Sequence, residues 1–157
     1  MSLLEVNHLK KIYTARYGGN SVQALADVNF TIENGEYTAI MGESGSGKTT
    51  LLNIIATLDR PTSGTVRLEG QELSTIPERR LAEVRRKNLG FVFQDFNLLD
   101  TFSIRDNILL PLVLDRMDLR EMDRRLKMLS EQLGLGELLD HYPYEVSGGQ
   151  KQRAAVA

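Results

Sequence analysis

The alternation of hydrophobic and polar residues predicts strands in the first third of the chain. Residues 3–13 and 23–32 have strand character, and in the second segment Val28, Phe30 and Ile32 alternate with polar neighbours. This spacing is typical of a strand with one buried face. Asn34-Gly35, directly after the second segment, predicts a tight turn.

The next part of the chain predicts strands and helices in alternation. Residues 37–41 read as a strand that leads through a glycine-rich loop into an apolar helix at residues 49–58, followed by a strand at 65–68, a charged helix at 78–87 and an apolar strand at 89–93. Later, a stripe with spacings of three and four predicts one face of a helix that ends near Gly134; its members are Leu119, Met122, Leu126, Leu129 and Leu133. Residues 151–157 are also compatible with a helix.

Composition and charge exclude several classes of function but do not identify one. Among 157 residues, 41% are hydrophobic, and 19 Lys and Arg against 21 Asp and Glu give a net charge of -2. A nucleic-acid-binding protein is expected to show a basic excess, so we expect no nucleic-acid partner. There is no cysteine, which excludes a disulfide scaffold and a thiolate metal site. His8 and His141 fit no ligand spacing.

The glycine-rich loop carries the clearest chemistry. Its sequence is Gly42-Glu43-Ser44-Gly45-Ser46-Gly47-Lys48-Thr49-Thr50, which matches the phosphate-loop pattern completely. Glycines allow successive backbone N–H groups to surround a phosphate. We expect Lys48 to reach the β- and γ-phosphates and Thr49 to offer its hydroxyl to Mg²⁺, while the N-terminus of the following helix attracts the anion.

A second glycine motif stands near the end of the chain, at Val146-Ser147-Gly148-Gly149-Gln150. It precedes a helix-compatible segment, so it is either a second anion site or, taken alone, a helix cap centred on Ser147. Together with the phosphate loop, in this order, it resembles the ATP-binding cassette (ABC) family, whose signature motif is Leu-Ser-Gly-Gly-Gln. Val146 replaces the usual leucine, a change of about one methylene.

The resemblance covers the whole chain and implies roles for individual residues. It identifies residues 42–49 as Walker A, Gln94 as the Q-loop glutamine, residues 147–150 as the signature, and Tyr13 as the aromatic residue that stacks on adenine. Gln94 would meet Mg²⁺ or the attacking water. From the residues alone, Tyr13 could equally be a packing aromatic and Gln94 a solvated side chain.

The resemblance is closer to the cassettes of lipoprotein-releasing, macrolide and antimicrobial-peptide systems, and Asp100-Thr101-Phe102 favours the last of these. The other segments that carry it are residues 51–55, 58–64, 90–94, 96–99 and 106–112. It implies an α/β P-loop NTPase core with an antiparallel β subdomain and a helical subdomain, incomplete at the C-terminus. We expect residues 1–93 to hold the β subdomain and Walker A, and residues 94–157 the Q-loop, helical subdomain and signature.

In this family the sequence after the signature supplies the Walker B Asp, the catalytic Glu and the switch His. None of these follows within the 157 residues, so we expect the isolated chain to show no turnover. The resemblance further implies ATP and Mg²⁺ as cofactors, a head-to-tail homodimer with ATP at its interface, a membrane permease as partner, and a cytoplasmic location on the inner face of the cell membrane.

Two alternatives to a transport ATPase remain open from the sequence. One is a non-transport ABC ATPase; those proteins carry long insertions between Q-loop and signature, whereas only residues 95–146 separate them here. The other is a catalytically silent nucleotide-binding module. The charged run that includes Arg79, Arg85 and Lys87 is either a solvated helix face or a nucleic-acid patch, and the net charge favours the first.

Overall fold

The computed structural model describes residues 2–14 and 19–157, and the chain divides into two compact units, Met1–Leu89 and Gly90–Ala157. None of the helices in these described ranges has the length and apolarity needed to cross a bilayer. The predicted boundary at 93/94 between β and helical subdomains stays a prediction, and each unit is described by itself.

The first unit is built on an antiparallel sheet. Its strands are β1 (Ser2–Tyr13), β2 (Val22–Glu33), β3 (Ser63–Leu68) and β4 (Gln71–Glu72), hydrogen-bonded in the order β2-β1-β3-β4. The alternation read from the sequence fixes the register, because Val6 lies opposite both Phe30 of β2 and Val66 of β3. The predicted strands at 3–13, 23–32 and 65–68 and the turn at Asn34-Gly35 are therefore confirmed.

Two helices complete this unit, α1 (Lys48–Ile55) and α2 (Glu78–Asn88). Leu51 and Ile54 of α1 pack into the core formed by Leu4, Val6 and Leu9 of β1. The predicted helix at 49–58 runs three residues past the observed end of α1 at Ile55, since Thr57 adopts a left-handed conformation with φ 57° and ends the helical path. Charged α2 has no fully buried residue. Arg79 and Lys87 are exposed, which agrees with a solvated helix face, whereas half-buried Arg85 donates to the carbonyl and hydroxyl oxygens of Thr57 at 3.1 Å.

Two predicted strands are corrected by the structure. Residues 37–41 and 89–93 are extended or irregular and are assigned to no strand, and Tyr37 and Met41 are 96% and 88% exposed. A strand exists through hydrogen bonds to a neighbour, and within the described residues no segment pairs with either one. Apolar side chains of both segments, such as Met41 and Val92, are accordingly open to water.

The second unit is helical, with α3 (Ile104–Leu114), α4 (Leu119–Leu133) and α5 (Gly148–Val156). Its buried core joins Ile104 and Ile108 of α3, Leu126 of α4 and Ala154 of α5. Helix α4 ends at Gly134 as predicted, with φ 62°. Leu119 of the predicted stripe is 74% exposed, because it is the first residue of the helix and precedes the part that packs.

Candidate nucleotide-binding site

The phosphate loop lies between β2 and α1 and is held tightly against the sheet at its end. Gly47 has φ 90°, and a Cβ atom built there would lie 2.4 Å from the carbonyl oxygen of Ala24 and 2.9 Å from Cδ2 of Leu25. Only glycine fits this conformation and this distance without displacing β2. Gly47 therefore lets the end of the loop pass directly against β2 at the start of α1.

Helix α1 begins with unsatisfied backbone donors. Its N-cap is Gly47, which has no side chain to accept a hydrogen bond. Among the described residues, the amides of Gly47, Lys48 and Thr49 find no acceptor. The first amides of a helix lack intrahelical partners and carry its partial positive charge, so this end of α1 provides donors for an anion.

Lys48 brings a full positive charge to the same loop. Its Nζ donates to the carbonyl oxygens of Gly42 at 2.8 Å and Glu43 at 2.7 Å, and to Oγ of Ser46 at 3.3 Å. The Lys48 ammonium thus folds back over the phosphate loop that precedes it in the chain. Thr49 is exposed and Thr50 half-buried at the helix start. Cation, amides and hydroxyls together form a donor set that suits a polyphosphate.

Tyr13, the predicted base-stacking residue, lies at the end of β1 and is 43% exposed. Its hydroxyl donates to Oδ2 of Asp59 at 2.7 Å, and Nζ of Lys11 lies over the ring, 4.7 Å from its centre. Lys11 Nζ also donates to Oδ1 of Asp59 at 2.6 Å and to the carbonyl of Arg60 at 2.7 Å. No hydrogen bond or ring contact in the described residues joins Tyr13 to the phosphate loop.

The charge of Asp59 is stabilised in this cluster. Burial opposes ionisation of the carboxyl group, but hydrogen bonds from Lys11, Tyr13 and the Arg60 amide outweigh it, so that the pKa of Asp59 lies below its ordinary value. Lys11 and Asp59 were not predicted as site residues. The available signal was that Lys11 and Tyr13 share one face of a strand by their spacing of two; nothing local indicated Asp59.

Gln94 lies in the second unit, exposed, in a turn at Gln94-Asp95 that follows the unpaired segment 89–93. The rings of Phe91 and Phe93 just before it lie 4.5 Å apart. Within the described part of the second unit, the Gln94 side chain makes no hydrogen bond to the signature residues, of which Ser147 and Gln150 bond to each other. Its predicted metal-binding and catalytic role stays a prediction.

The second glycine motif forms the N-terminus of α5. The Ser147 amide donates to Oε1 of Gln150 at 2.7 Å, and the Gln150 amide donates to Oγ of Ser147 at 3.3 Å, which is a capping box. Gly148 and Gly149 are exposed on the first turn, and Val146 is buried in the helical core. The structure therefore brings Ser147 and Gln150 together as a cap and leaves both glycine backbones accessible.

Comparisons with known proteins agree with this geometry. The ABC transporter family pattern matches residues 25–157. The chain is 52% identical to the ABC transporter ATP-binding protein YxdL of Bacillus subtilis over 99% of this chain and 60% of the relative, and 43% identical to the bacitracin export ATP-binding protein BceA of Halalkalibacterium halodurans over 100% and 61%. The chain thus spans about 60% of the length of these relatives.

A solved structure shows the same fold. The dimeric, ADP- and phosphate-bound post-hydrolysis state of the ATP-binding cassette MJ0796 superimposes with a TM-score of 0.89 at 36% identity, covering 98% of this chain and 67% of that one. The predicted α/β P-loop fold of the ABC ATPase type is therefore confirmed, with its antiparallel sheet and its helical part. By its sequence pattern, its phosphate loop and its fold, the chain belongs to the ABC transporter family.

Proposed function

We propose that this chain binds MgATP as part of the ATP-binding subunit of an ABC transporter, and that the complete, dimerised protein hydrolyses ATP to drive a membrane permease. The observation that carries the proposal is the phosphate loop, where Lys48 and the free amides at the start of α1 gather donors around one short segment. Relatives named for bacitracin, lipoprotein and macrolide systems support export as the process served.

Each site residue has a proposed task. Lys48 neutralises charge on the β- and γ-phosphates, and Thr49 supplies a hydroxyl ligand for Mg²⁺ with Thr50 beside it on the helix start. Mg²⁺ prefers oxygen ligands, and the hydroxyl of Thr49 and amide oxygen of Gln94 are of that kind. When bound, the ion neutralises charge on the phosphates. Tyr13 stacks on the adenine base.

The signature acts on a second copy of the chain. We infer a head-to-tail homodimer in which Ser147, Gly148, Gly149 and Gln150 of one subunit meet the phosphates held by Walker A of the other. The dimeric state of the MJ0796 cassette supports pairing, and the exposed glycines at the start of α5 are free to approach a phosphate. The membrane permease would hold this dimer at the cytoplasmic face of the cell membrane.

Two other functions are distinguishable by experiment. A non-transport ABC ATPase would hydrolyse ATP without co-purifying with any membrane subunit. A silent module would retain ATP without turnover even in the complete protein. For the 157-residue chain by itself we expect no phosphate release above background, because no residue within it serves as the family's catalytic glutamate. Steady release that disappears with Lys48→Ala would contradict that expectation.

The test of the proposal is titration of the complete protein with ATP. Lys48→Ala removes the mobile cation of the loop, and we expect ATP affinity to fall by at least about 100-fold, since two charge-assisted hydrogen bonds contribute about 3 kcal/mol or more. Lys10→Ala, an exposed lysine of β1, is the matched control and should leave ATP affinity unchanged. Equal affinity of the Lys48→Ala and unmodified proteins would refute nucleotide binding by this loop.

A further inference from the structure

Tyr13 does not stand alone at the end of β1, although an exposed tyrosine ring ordinarily changes rotamer freely. Its hydroxyl is fixed by Asp59, and its ring is covered on one face by the ammonium of Lys11. Lys11 is itself 12% exposed and shares the same carboxylate. Three side chains, two from β1 and one from the segment after α1, thus form a closed cluster, which we call the Tyr13 cluster.

Asp59 is the member on which the cluster depends. Its two oxygens divide between the partners, with Oδ1 accepting from Lys11 at 2.6 Å and Oδ2 accepting from Tyr13 at 2.7 Å. The Arg60 amide adds a third donor at 2.7 Å, which fixes the carboxylate relative to its own backbone. Removal of the carboxylate would release the tyrosine hydroxyl and leave the lysine ammonium with only the carbonyl oxygen of Arg60 as its acceptor in the cluster.

This arrangement restricts the ring before any ligand arrives. With the hydroxyl held at one end and the Cβ atom held by the strand at the other, the long axis of the ring is fixed, and the Lys11 ammonium over one face restricts rotation of the ring about that axis. Lys11 occupies one face, so a base stacks on the opposite face. Ordering a side chain in advance removes an entropic cost of binding, and base–aromatic stacking is sensitive to the orientation of the two rings.

We propose that Asp59 is a positioning residue for nucleotide recognition, which holds the Tyr13 ring in the orientation that stacks on a purine base. This inference rests on the proposed function, since it assigns Asp59 to the base end of the same site. It concerns the affinity contributed by the base and leaves the affinity contributed by the phosphates to Walker A.

The experiment compares two ligands in the complete protein, ATP and inorganic tripolyphosphate, which has the phosphates without the base. Asp59→Asn keeps the size of the side chain and removes its charge. We expect it to weaken ATP binding about 3- to 10-fold, the range of one lost hydrogen bond, and to leave the tripolyphosphate affinity within about 2-fold. Tyr13→Phe, which removes only the hydroxyl, should reproduce much of the loss for ATP.

A double substitution separates positioning from a general structural role. In a Tyr13→Ala protein the ring is absent, so adding Asp59→Asn should change ATP affinity less than about 2-fold if Asp59 acts through Tyr13. Glu78→Gln is the matched control, because Glu78 pairs with the neighbouring Arg60 at 3.1 Å and is exposed. It should leave the affinities for both ligands unchanged.

Three results would overturn the inference: unchanged ATP affinity in Asp59→Asn, equal losses for ATP and tripolyphosphate, or an undiminished effect in the Tyr13→Ala background. Different results would contradict the proposed function itself. In that case the unmodified protein binds neither ligand, or Lys48→Ala retains both, and the inference about Asp59 is overturned with it.

Discussion

Gly47 shows how closely a single residue of the phosphate loop is constrained. It has φ 90°, and a methyl group there would meet the Ala24 carbonyl at 2.4 Å. Gly45 also has a positive φ, 83°, but a Cβ there meets nothing within 4 Å. Both glycines have a positive φ, but only at Gly47 would a Cβ atom clash with a neighbour. Substitution of each by alanine therefore separates the cost of the clash from the cost of the backbone conformation.

We predict that Gly47→Ala lowers the free energy of unfolding by about 3 kcal/mol, from left-handed strain and the displacement of β2 together. Gly45→Ala should cost about 1 kcal/mol, since it carries only the strain. Urea unfolding of both variants measures the difference. Equal costs would mean that the contact with β2 relaxes without effect.

At the residue scale, the sequence predicts a site when all of its residues lie in one continuous segment. The loop 42–49 was readable because all its residues are adjacent and its pattern is rare. The hydrogen bond between Tyr13 and Asp59 could not be predicted, because it joins residues 46 positions apart. Neither a tyrosine at position 13 nor an aspartate at position 59 indicates that the two side chains meet. Ser147 was weighed both as a cap and as a signature residue; the cap is observed, and the second role stays a prediction.

At the scale of elements, prediction succeeded where a segment finds its partner close in the chain. Strands β1 and β2 alternate clearly and pair with each other. Residues 37–41 have an equally apolar pattern but no partner in the described chain, and so remain unpaired. Helix α3 was not predicted; its signal lies at Ser103, whose capping box starts the helix, and Pro111 is accommodated within it.

Helix α4 supports a pH-dependent prediction. Hydrogen bonds from Arg124 and then Arg125 lower the pKa of Glu121 from 4.5 to about 2. A carboxyl group whose folded-state pKa is depressed stabilises the fold above its unfolded pKa, and this contribution is lost as the pH falls from 4.5 toward about 2. We expect Glu121→Gln to flatten the stability profile in that window.

Unfolding measured at a series of pH values tests this prediction, and Glu131→Gln on the same helix is the control. The Glu121 side chain is half-buried, at 33% exposed, but its arginine partners reach solvent, so salt should weaken the effect. A profile for Glu121→Gln that parallels the unmodified protein down to pH 2 would show that the ion pairs with Arg124 and Arg125 do not contribute.

At the scale of the whole molecule, the chain carries the family's fold without all of its length. The superposition with the MJ0796 cassette covers 98% of this chain and 67% of that one. Each of the two units has its own hydrophobic core. Because each unit packs around its own core, the antiparallel sheet and the helical part both form, whereas the strands predicted at 37–41 and 89–93 do not.

The segment 95–113 of the second unit supports the last prediction, which concerns the permease. Leu98 packs against the helical core and Ile104 is buried, whereas Leu99 and Phe102 are 45% and 38% exposed. Asn107 holds the backbone of Leu99 in place through two hydrogen bonds, at 2.7 and 3.1 Å. An apolar side chain on a fixed backbone and open to water is suited to a partner surface.

We predict that Leu99→Glu, and Phe96→Glu beside it, lowers recovery of the permease with the complete protein several-fold while leaving ATP affinity near normal, because a charge is costly to bury in an apolar contact. Co-purification from membranes, with an ATP titration on the same preparations, makes the measurement. Leu119→Glu is the control, since Leu119 is an exposed leucine outside this segment. Normal permease recovery, or equal loss of both activities, would assign Phe96 and Leu99 to the fold of the second unit and leave the permease to dock elsewhere.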